Sequence, residues 1–275
     1  MRNRLLFLII SFTILPFIVL EAEEDPGKAW LNKVTKTPPG PFNKIRPLAV
    51  SYSLSWKGKM NAGKMDFALT EPYQGVYLAK ASGQSAGLPR ALFPYNFSGT
   101  SQTDATNLKP LTFKFKDEMK TKSYDYSLLF QPNQMISHTD LTDKKTGKKT
   151  PYHRVYRFED DVARDLMSTI LYLRSQPLTK GQKVSLITAT FNKPYLTNYT
   201  VLGREKKTIK RKTYNAIKLD VNISKIHSNM TIEPYTKIEQ ATIWISDDEF
   251  RLPLEFQGDI FIGYISAQMT SRKWL

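Results

Sequence analysis

Residues 162–181, VARDLMSTILYLRSQPLTKG, differ from the rest of the chain and decide how the fold is interpreted. Elsewhere polar and apolar residues alternate, as they do in strands that are buried on one face. Here Leu166, Ile170 and Leu173 recur at helical spacing and form one apolar stripe, which Met167 and Leu171 widen. The spacing predicts a single α-helix over residues 162–174.

The two ends of this stretch support the same prediction. Asp165 places a carboxylate near the positive end of the helix dipole, and Arg174 places a cation near the negative end. Pro177 and Gly181 then stop the helix. Two interpretations remain open. The helix either covers one face of a sheet as an ordinary core element, or it forms the wall of a ligand cavity.

The chain on both sides of the helix is predicted to form about a dozen antiparallel strands. VSYSLSW, for example, places Tyr52, Leu54 and Trp56 on one face. Strands that follow one another without helices between them do not build a parallel α/β sheet. We therefore predict a mainly β fold, either a large curved antiparallel sheet or a partly open, half-barrel-like β-barrel, with one covering α-helix near residues 162–174.

The N-terminus has the three parts of a secretory signal. Arg2 and Arg4 precede an apolar run over residues 5–20, and the small residue Ala22 follows it. We predict that residues 1–22 are a signal peptide cleaved after Ala22, and that the protein is exported to a bacterial periplasm. The alternative is a retained anchor, for which the apolar run is somewhat short.

Two regions follow the signal. Residues 23–47 are polar and proline-rich, and PPGP at residues 38–41 favours extended backbone. We interpret them as a leader or linker, with Trp30 docking on the body of the protein. Residues 48–275 are predicted to form a single β-rich domain.

The chain contains no cysteine. This excludes disulfides, a disulfide-linked oligomer, thiolate zinc sites, cysteine nucleophiles and a lipid anchor attached at cysteine. The hydrophobic content of 41% is enough for a packed core. Stability of the exported chain is therefore expected to come from packing alone.

The formal net charge of +15 favours anionic neighbours. For an exported chain these are phosphorylated lipid head groups or acidic glycans, so we expect a lipid or an anionic envelope component as partner, with peripheral membrane contact. Nucleic acid is not expected. The basic tracts at 143–149 and 204–212 resemble hairpin tips and lack the interleaved aromatic residues of nucleic-acid modules. The alternative is that the charge serves solubility alone.

One stretch resembles a catalytic motif. GQSAG at residues 83–87 matches the nucleophile elbow around Ser85, but that motif needs a strand-to-helix turn on a parallel sheet. His138, His153 and His227 are far apart in sequence, so metal-ligand spacing is absent as well. We predict no catalytic residues, no metal site and no cofactor, and hence a protein that is not an enzyme.

Several short motifs, taken in order, resemble a family of bacterial envelope proteins, domain of unknown function 3108. The early strand and turn YSLSWKGKMNAGKMDFAL corresponds to the family's aromatic strand followed by a glycine turn. The helix motif and the late strand motif are matched by Asp165, Ser168, Leu173, Arg174, Pro177, Leu178 and Gly181, and by Trp244, Ser246, Asp247, Arg251 and Pro253. The likeness covers about residues 48–272.

The resemblance implies an exported protein with a curved antiparallel sheet and no established activity. By analogy of shape it is similar to half-barrels that carry lipid or lipoprotein in the periplasm. We therefore expect binding of a lipid or other amphiphile on an apolar concave sheet, in a cavity under the helix lined by Leu166, Ile170, Leu173, Trp56 and Trp244. The alternative is a non-catalytic structural or interaction protein of the envelope with a solid core.

Overall fold

The structure is a computed structural model that describes residues 28–43, 45–238, 240–260 and 263–275. The predicted signal peptide of residues 1–22, with its cleavage after Ala22, lies outside the described residues. The same holds for the first five residues of the predicted leader, 23–27.

The described chain contains sixteen strands, two α-helices and a 3₁₀ turn at Ala29–Lys33. The first half contains β1 (Leu48–Trp56), β2 (Met60–Leu69), β3 (Val76–Ser85), α1 (Gly87–Leu92), β4 (Tyr95–Asp104), β5 (Pro110–Met119), β6 (Lys122–Gln131), β7 (Gln134–Asp143) and β8 (Lys149–Arg157). The second half contains β9 (Ala163–Asp165), α2 (Leu166–Ser175), β10 (Lys183–Thr190), β11 (Lys193–Ile209), β12 (Lys212–Ile226), β13 (Ile232–Pro234), β14 (Ala241–Ser246), β15 (Pro253–Ile260) and β16 (Gly263–Trp274).

All sixteen strands belong to one open, curved sheet, which confirms the predicted fold class. The strand order is β8-β7-β6-β5-β4-β3-β2-β1-β16-β15-β14-β12-β11-β10-β9, and β13 pairs with β12. Neighbours pair antiparallel except β9 and β10, which are parallel. Because β8 and β9 are the two edges, the described sheet is a barrel-like wall that does not close by strand pairing.

The path of the chain explains why there is one large helix. β1 lies in the middle of the sheet, and successive hairpins run outward from it to the edge strand β8. The chain then crosses to the other edge through β9 and α2, and β10 to β16 return until β16 pairs with β1. Helix α2 is thus the crossover between the two halves, and it contacts β4 as well as β9 and β10.

Helix α2 begins later than the sequence predicted, and Leu166 of the predicted stripe is not on its buried face. Asp165 caps the helix, since its Oδ1 accepts hydrogen bonds from the amides of Met167 and Ser168 at 2.7 and 2.9 Å. The residues before this cap form β9. Eight of the ten helical residues are buried, because the helix is enclosed between the two halves of the sheet, whereas Leu166 is 44% exposed.

The helix contributes to two hydrophobic clusters. Met167 and Leu171 belong to the larger one. Tyr172 and Leu173 belong to the smaller one, which also contains side chains from β10, β11, β12 and β14. Trp30 of the leader joins the larger cluster, and its indole N–H donates to the Met230 carbonyl at 2.8 Å. The last part of the leader is therefore packed onto the body.

The two basic tracts differ in their structure. Residues 144–148, within the tract 143–149, form the β7–β8 turn and are exposed, as predicted for a hairpin tip. In the tract 204–212 only Lys210 and Arg211 lie in the β11–β12 turn, because β11 continues to Ile209. Within the described residues, neither helix is long and apolar enough to cross a bilayer.

Candidate functional site

The structure does not bring the five predicted lining residues together around one cavity. Leu166 is largely on the outside of α2, Ile170 is partly buried and Leu173 is buried in the smaller cluster. Trp56 lies at the end of β1, with Lys57 Nζ 5.0 Å from its ring centroid. Trp244 is buried, and its indole N–H donates to Glu205 at 2.6 Å.

Three grooves stand out on the described part of the chain, and α2 lines none of them. The largest, of about 770 Å³, lies on the outer face of β1 to β5 and β16. Strand register turns Ala68, Lys80, Thr100 and Lys114 to this face, opposite the core. It is a shallow depression over small side chains with lysines along it, which is typical of a solvated sheet surface.

A second groove, of about 610 Å³, lies between the edge strand β8 and the β11–β12 region. Its lining includes Arg154, Lys193, Lys225, Lys237 and His227, with Tyr156, Tyr195 and Tyr235. Glu233 neutralises part of this charge, since it pairs with Lys225 at 2.9 Å and with His227 at 3.1 Å. The groove suits a small anion better than an apolar chain. The third groove, of about 560 Å³, lies over β1 and β2 and is polar.

The inner face of β4 to β6 carries a continuous layer of rings, which we call the aromatic surface. Its members are Tyr95, Phe97, Phe115, Tyr124, Tyr126 and Phe191. Centroids of neighbouring rings are 5.4 to 6.3 Å apart, as in ordinary stacked and edge-to-face pairs. Four of the six rings are only partly buried and Phe191 is 41% exposed, so apolar surface remains open to a ligand.

Phe191 comes from the other half of the molecule. It lies in the β10–β11 turn with φ of 56°, a left-handed conformation that is unusual for a bulky side chain. Its ring packs edge-on against Phe115 at 5.4 Å and against Tyr126 at 5.5 Å. The turn therefore holds a ring over the inner face of the opposite half, at a cost in backbone strain of about 1–3 kcal/mol.

A carboxylate lies within the aromatic surface. Asp117 pairs with Phe97 on β4 and with Tyr124 on β6, and it is only 3% exposed. Its Oδ2 accepts a hydrogen bond from the Tyr126 hydroxyl at 3.3 Å, whereas its Oδ1 has no hydrogen-bond partner among the described residues. Burial raises the pKa of this carboxyl, and the nearby hydroxyls of Tyr95 and Tyr126 oppose that rise.

An unpartnered buried carboxylate oxygen is costly, by about 1–3 kcal/mol. Natural proteins seldom retain such a group without a use for it. Because it lies among rings that are partly exposed, Asp117 gives an apolar surface one polar recognition point. The partly exposed rings can hold an apolar chain or ring. Because Oδ1 itself is buried, a hydrogen-bond donor of the ligand reaches it only where a covering ring moves aside.

The sequence contains a signal for this site that the predictions above do not include. In PLTFKFKDE, Phe113, Phe115 and Asp117 occupy alternate positions, so the acid falls on the apolar face of its strand. An acid in that register is a candidate functional residue. The contact with Phe191 had no such signal, because it joins residues that are far apart in the chain.

The motif residues quoted from the sequence have structural contacts. Arg174 donates to the Phe250 carbonyl at 2.8 Å, and burial lowers its pKa to about 10. Asp247 pairs with Arg204 at 2.8 Å and with Arg251 at 2.9 Å. These contacts fasten the β14–β15 connection to α2 and to β11, so these motif residues build the fold around the helix.

The nucleophile-elbow motif adopts a strand-turn-helix path on an antiparallel sheet. The Ser85 hydroxyl accepts from the Tyr95 amide at 3.0 Å and can donate to the carbonyls of Phe93 and Tyr95. His138 lies beside Asp140 on β7, and His227 pairs with Glu233. Among the described residues, no group of three or more His, Asp or Glu side chains is placed to hold a metal ion.

Three solved structures match the chain at low sequence identity. A β-barrel-like protein of domain of unknown function DUF1849 from Brucella abortus matches with a TM-score of 0.54 and 10% identity, over 84% of this chain and 98% of that chain. A Bacteroides fragilis protein described as exported, with a YmcC-like fold, matches with a TM-score of 0.34 and 5% identity, over 86% and 99% of the two chains. A Parabacteroides distasonis protein described as a lipoprotein matches with a TM-score of 0.31 and 6% identity, over 86% and 100%.

The first of these structures supports the barrel-like description of the sheet. No curated protein matches this chain. The model of the family described as "Protein of unknown function (DUF3108)" matches residues 51–270, which include all of β2 to β15 and most of β1 and β16. The chain therefore belongs to the DUF3108 family.

Proposed function

We propose that this protein is exported to the cell envelope and there binds a lipid or another amphiphile without altering it chemically. The observation that carries the proposal is the aromatic surface, with Asp117 buried among its rings and one carboxylate oxygen unpartnered. The N-terminal pattern of Arg2, Arg4 and the apolar run at 5–20 supports export.

The chemistry of the site favours one class of ligand. Aromatic rings provide a large apolar contact for an alkyl chain or a flat ring system. Oδ1 of Asp117 accepts a hydrogen bond from a hydroxyl, amide or ammonium group, and a cationic donor gains most because the bond is charge-assisted. We therefore propose an amphiphile whose polar group is a hydrogen-bond donor.

Binding is tested by titrating the purified protein with N-phenyl-1-naphthylamine, a neutral aromatic amine whose fluorescence rises in apolar sites. We expect saturable binding that Phe191→Ala weakens about fivefold to tenfold, since the ring supplies apolar contact. Leu111→Ala is the matched control: Leu111 is 39% exposed, close to the 41% of Phe191, but it lies at the register shift near the start of β5, six residues before Asp117. If Leu111→Ala weakens probe binding as much as Phe191→Ala does, the result would contradict binding at the aromatic surface.

The role of Asp117 is tested by competition. Decylamine is expected to displace the probe at lower concentration than decanoic acid, because only the amine can donate to the carboxylate. In Asp117→Asn this preference is expected to shrink while probe binding persists. An unchanged preference would show that Asp117 does not contact the ligand.

A second function is favoured by one observation: α2 is buried on nearly all sides and lines none of the three grooves. On this reading the protein is a non-catalytic structural or interaction component of the envelope with a solid core. Native mass spectrometry of the protein purified from its envelope fraction separates the two. A co-purified amphiphile supports binding, whereas bare protein together with no probe binding supports the second function.

Export is tested separately. The mature protein isolated from the periplasmic fraction is expected to begin at Glu23, because the signal peptide is cleaved after Ala22. Recovery of the chain in the membrane pellet with Met1 or Arg2 at its N-terminus would show a retained anchor.

A further inference from the structure

The antiparallel order of β1 to β8 places four chain connections at one end of the sheet. The β1–β2, β3–β4, β5–β6 and β7–β8 connections lie at that end, and the β2–β3, β4–β5, β6–β7 and β8–β9 connections lie at the other. This follows from hairpin geometry, since each strand reverses the direction of the one before it.

The first group of connections is strongly basic, and we call it the basic end. It contains seven basic residues and no acidic one: Lys57, Lys59, Arg90, Lys120, Lys144, Lys145 and Lys148. All seven side chains are exposed, and none of them forms an ion pair with the residues that the structure describes. Positive charge at this end is therefore available to an external partner.

In this half of the sheet, β1 to β8, the opposite end has the reverse charge. Its connections contain four acidic residues and one lysine: Glu71, Glu159, Asp160, Asp161 and Lys109. Two of the acids are neutralised within the protein, since Lys36 lies 2.5 Å from Asp160 and Lys109 lies 2.6 Å from Asp161. Within β1 to β8, the charge is therefore distributed asymmetrically between the connections at the two ends.

Exposed apolar side chains occur at the basic end as well. Leu88 and Leu92 of α1 are 59% and 62% exposed, and Phe93 directly after it is 76% exposed. Met60 and Met119 at the ends of β2 and β5 are 36% and 41% exposed. A surface on which exposed apolar side chains occur together with lysine and arginine is typical of proteins that lie in a membrane interface.

We propose that the basic end docks on the surface of an anionic phospholipid bilayer. Leu88, Leu92 and Phe93 enter the boundary between head groups and acyl chains, and the seven basic side chains contact the lipid phosphates. This inference deepens the proposed function, because Tyr95 and Asp117 lie at the ends of β4 and β5 that face the same direction. Docking would present the aromatic surface to the lipids from which a ligand is taken.

The test uses sedimentation of the full chain with vesicles of phosphatidylcholine and phosphatidylglycerol. Binding is expected to rise with the phosphatidylglycerol fraction and to fall as salt is added. Phe93→Asp is expected to weaken partitioning about tenfold or more. Tyr73→Asp is the matched control, since Tyr73 is also 76% exposed but lies in the β2–β3 connection at the acidic end.

Charge is tested with two triple variants that change the net charge equally. Lys144→Glu/Lys145→Glu/Lys148→Glu alters the β7–β8 turn and is expected to reduce vesicle binding at least about a hundredfold. Lys210→Glu/Arg211→Glu/Lys212→Glu alters the exposed tip of β11 and β12, in the other half of the sheet, and is expected to have a much smaller effect. Equal losses would show attraction by net charge alone and would overturn the proposal.

Two further results would overturn it: no binding of the unaltered protein to anionic vesicles, or equal losses for Phe93→Asp and Tyr73→Asp. Probe binding without vesicles, measured on the same variants, separates this inference from the proposed function. Phe93→Asp is expected to bind N-phenyl-1-naphthylamine as the unaltered protein does. If the protein binds the probe but does not bind vesicles, the docking inference is wrong and the proposed function is unaffected.

Discussion

Two leucines on helix α2 provide a direct comparison of buried and exposed positions. Leu171 is fully buried in the larger hydrophobic cluster, whereas Leu166, five residues earlier, is 44% exposed. Replacing each by alanine removes the same atoms from the same helix, and alanine keeps or improves the helix propensity. Any difference in the free energy of unfolding then reports on packing around the helix.

The expected cost of Leu171→Ala is about 3–5 kcal/mol. A buried leucine loses its transfer free energy, and the cavity that remains adds to the cost. The upper part of the usual range applies because α2 is held between β4 on one side and β9 and β10 on the other, so the neighbours cannot collapse onto the gap. Leu166→Ala is expected to cost about 1 kcal/mol or less, since solvent already reaches that side chain.

Urea unfolding followed by tryptophan fluorescence and circular dichroism measures both costs. For a chain of this size, the loss in Leu171→Ala corresponds to a melting temperature lower by about 10 °C. Equal costs for the two substitutions would refute the enclosed position of α2. They would instead support the predicted stripe, in which Leu166 and Leu171 both belong to the buried face.

Three further predictions concern other parts of the molecule. Burial raises the pKa of Asp165 to about 6, so as the pH falls the folded protein binds this proton before the unfolded chain does. In urea titrations, the stability of the unaltered protein relative to Asp165→Asn should therefore rise by about 2 kcal/mol between pH 7 and pH 4. A difference that stays constant with pH would contradict the burial of the carboxyl. Trp30→Ala should destabilise the protein by about 3–5 kcal/mol in the same assay, because it removes a buried indole and its bond to Met230; a negligible loss would mean that the leader does not pack on the body. A serine-reactive fluorophosphonate should fail to label the protein at Ser85, and labelling that disappears in Ser85→Ala would revive a hydrolase.

Much of the fold could be predicted because alternation and helical spacing are local signals. Strand faces such as Tyr52, Leu54 and Trp56 follow from a period of two, and the absence of alternating helices excludes a parallel sheet. The helix ends were less accurate. The residue types of VARD, residues 162–165, are compatible with a short edge strand and with a first helical turn. Only the hydrogen bonds that the Asp165 side chain accepts show that the helix starts after it.

The buried face of α2 and the candidate site depend on long-range contacts. The sequence predicted one apolar stripe because a surface helix needs only one, but a helix enclosed between two halves buries Ser168, Thr169 and Arg174 too. The hydroxyl of Thr169 bonds to that of Thr188 at 3.1 Å, which allows a polar residue to be buried. Such pairings cannot be read from spacing along one chain segment.

The central claim is that an amphiphile lies on the aromatic surface, and photo-crosslinking tests it most directly. A diazirine-bearing alkyl amine is bound to the protein, irradiated, and the modified peptides are mapped by mass spectrometry. We expect crosslinks on β4, β5, β6 and the turn that contains Phe191, and we expect these crosslinks to be lost in Phe191→Ala. Crosslinks confined to the outer-face groove around Ala68 and Thr100, or none above an unfolded control, would contradict it.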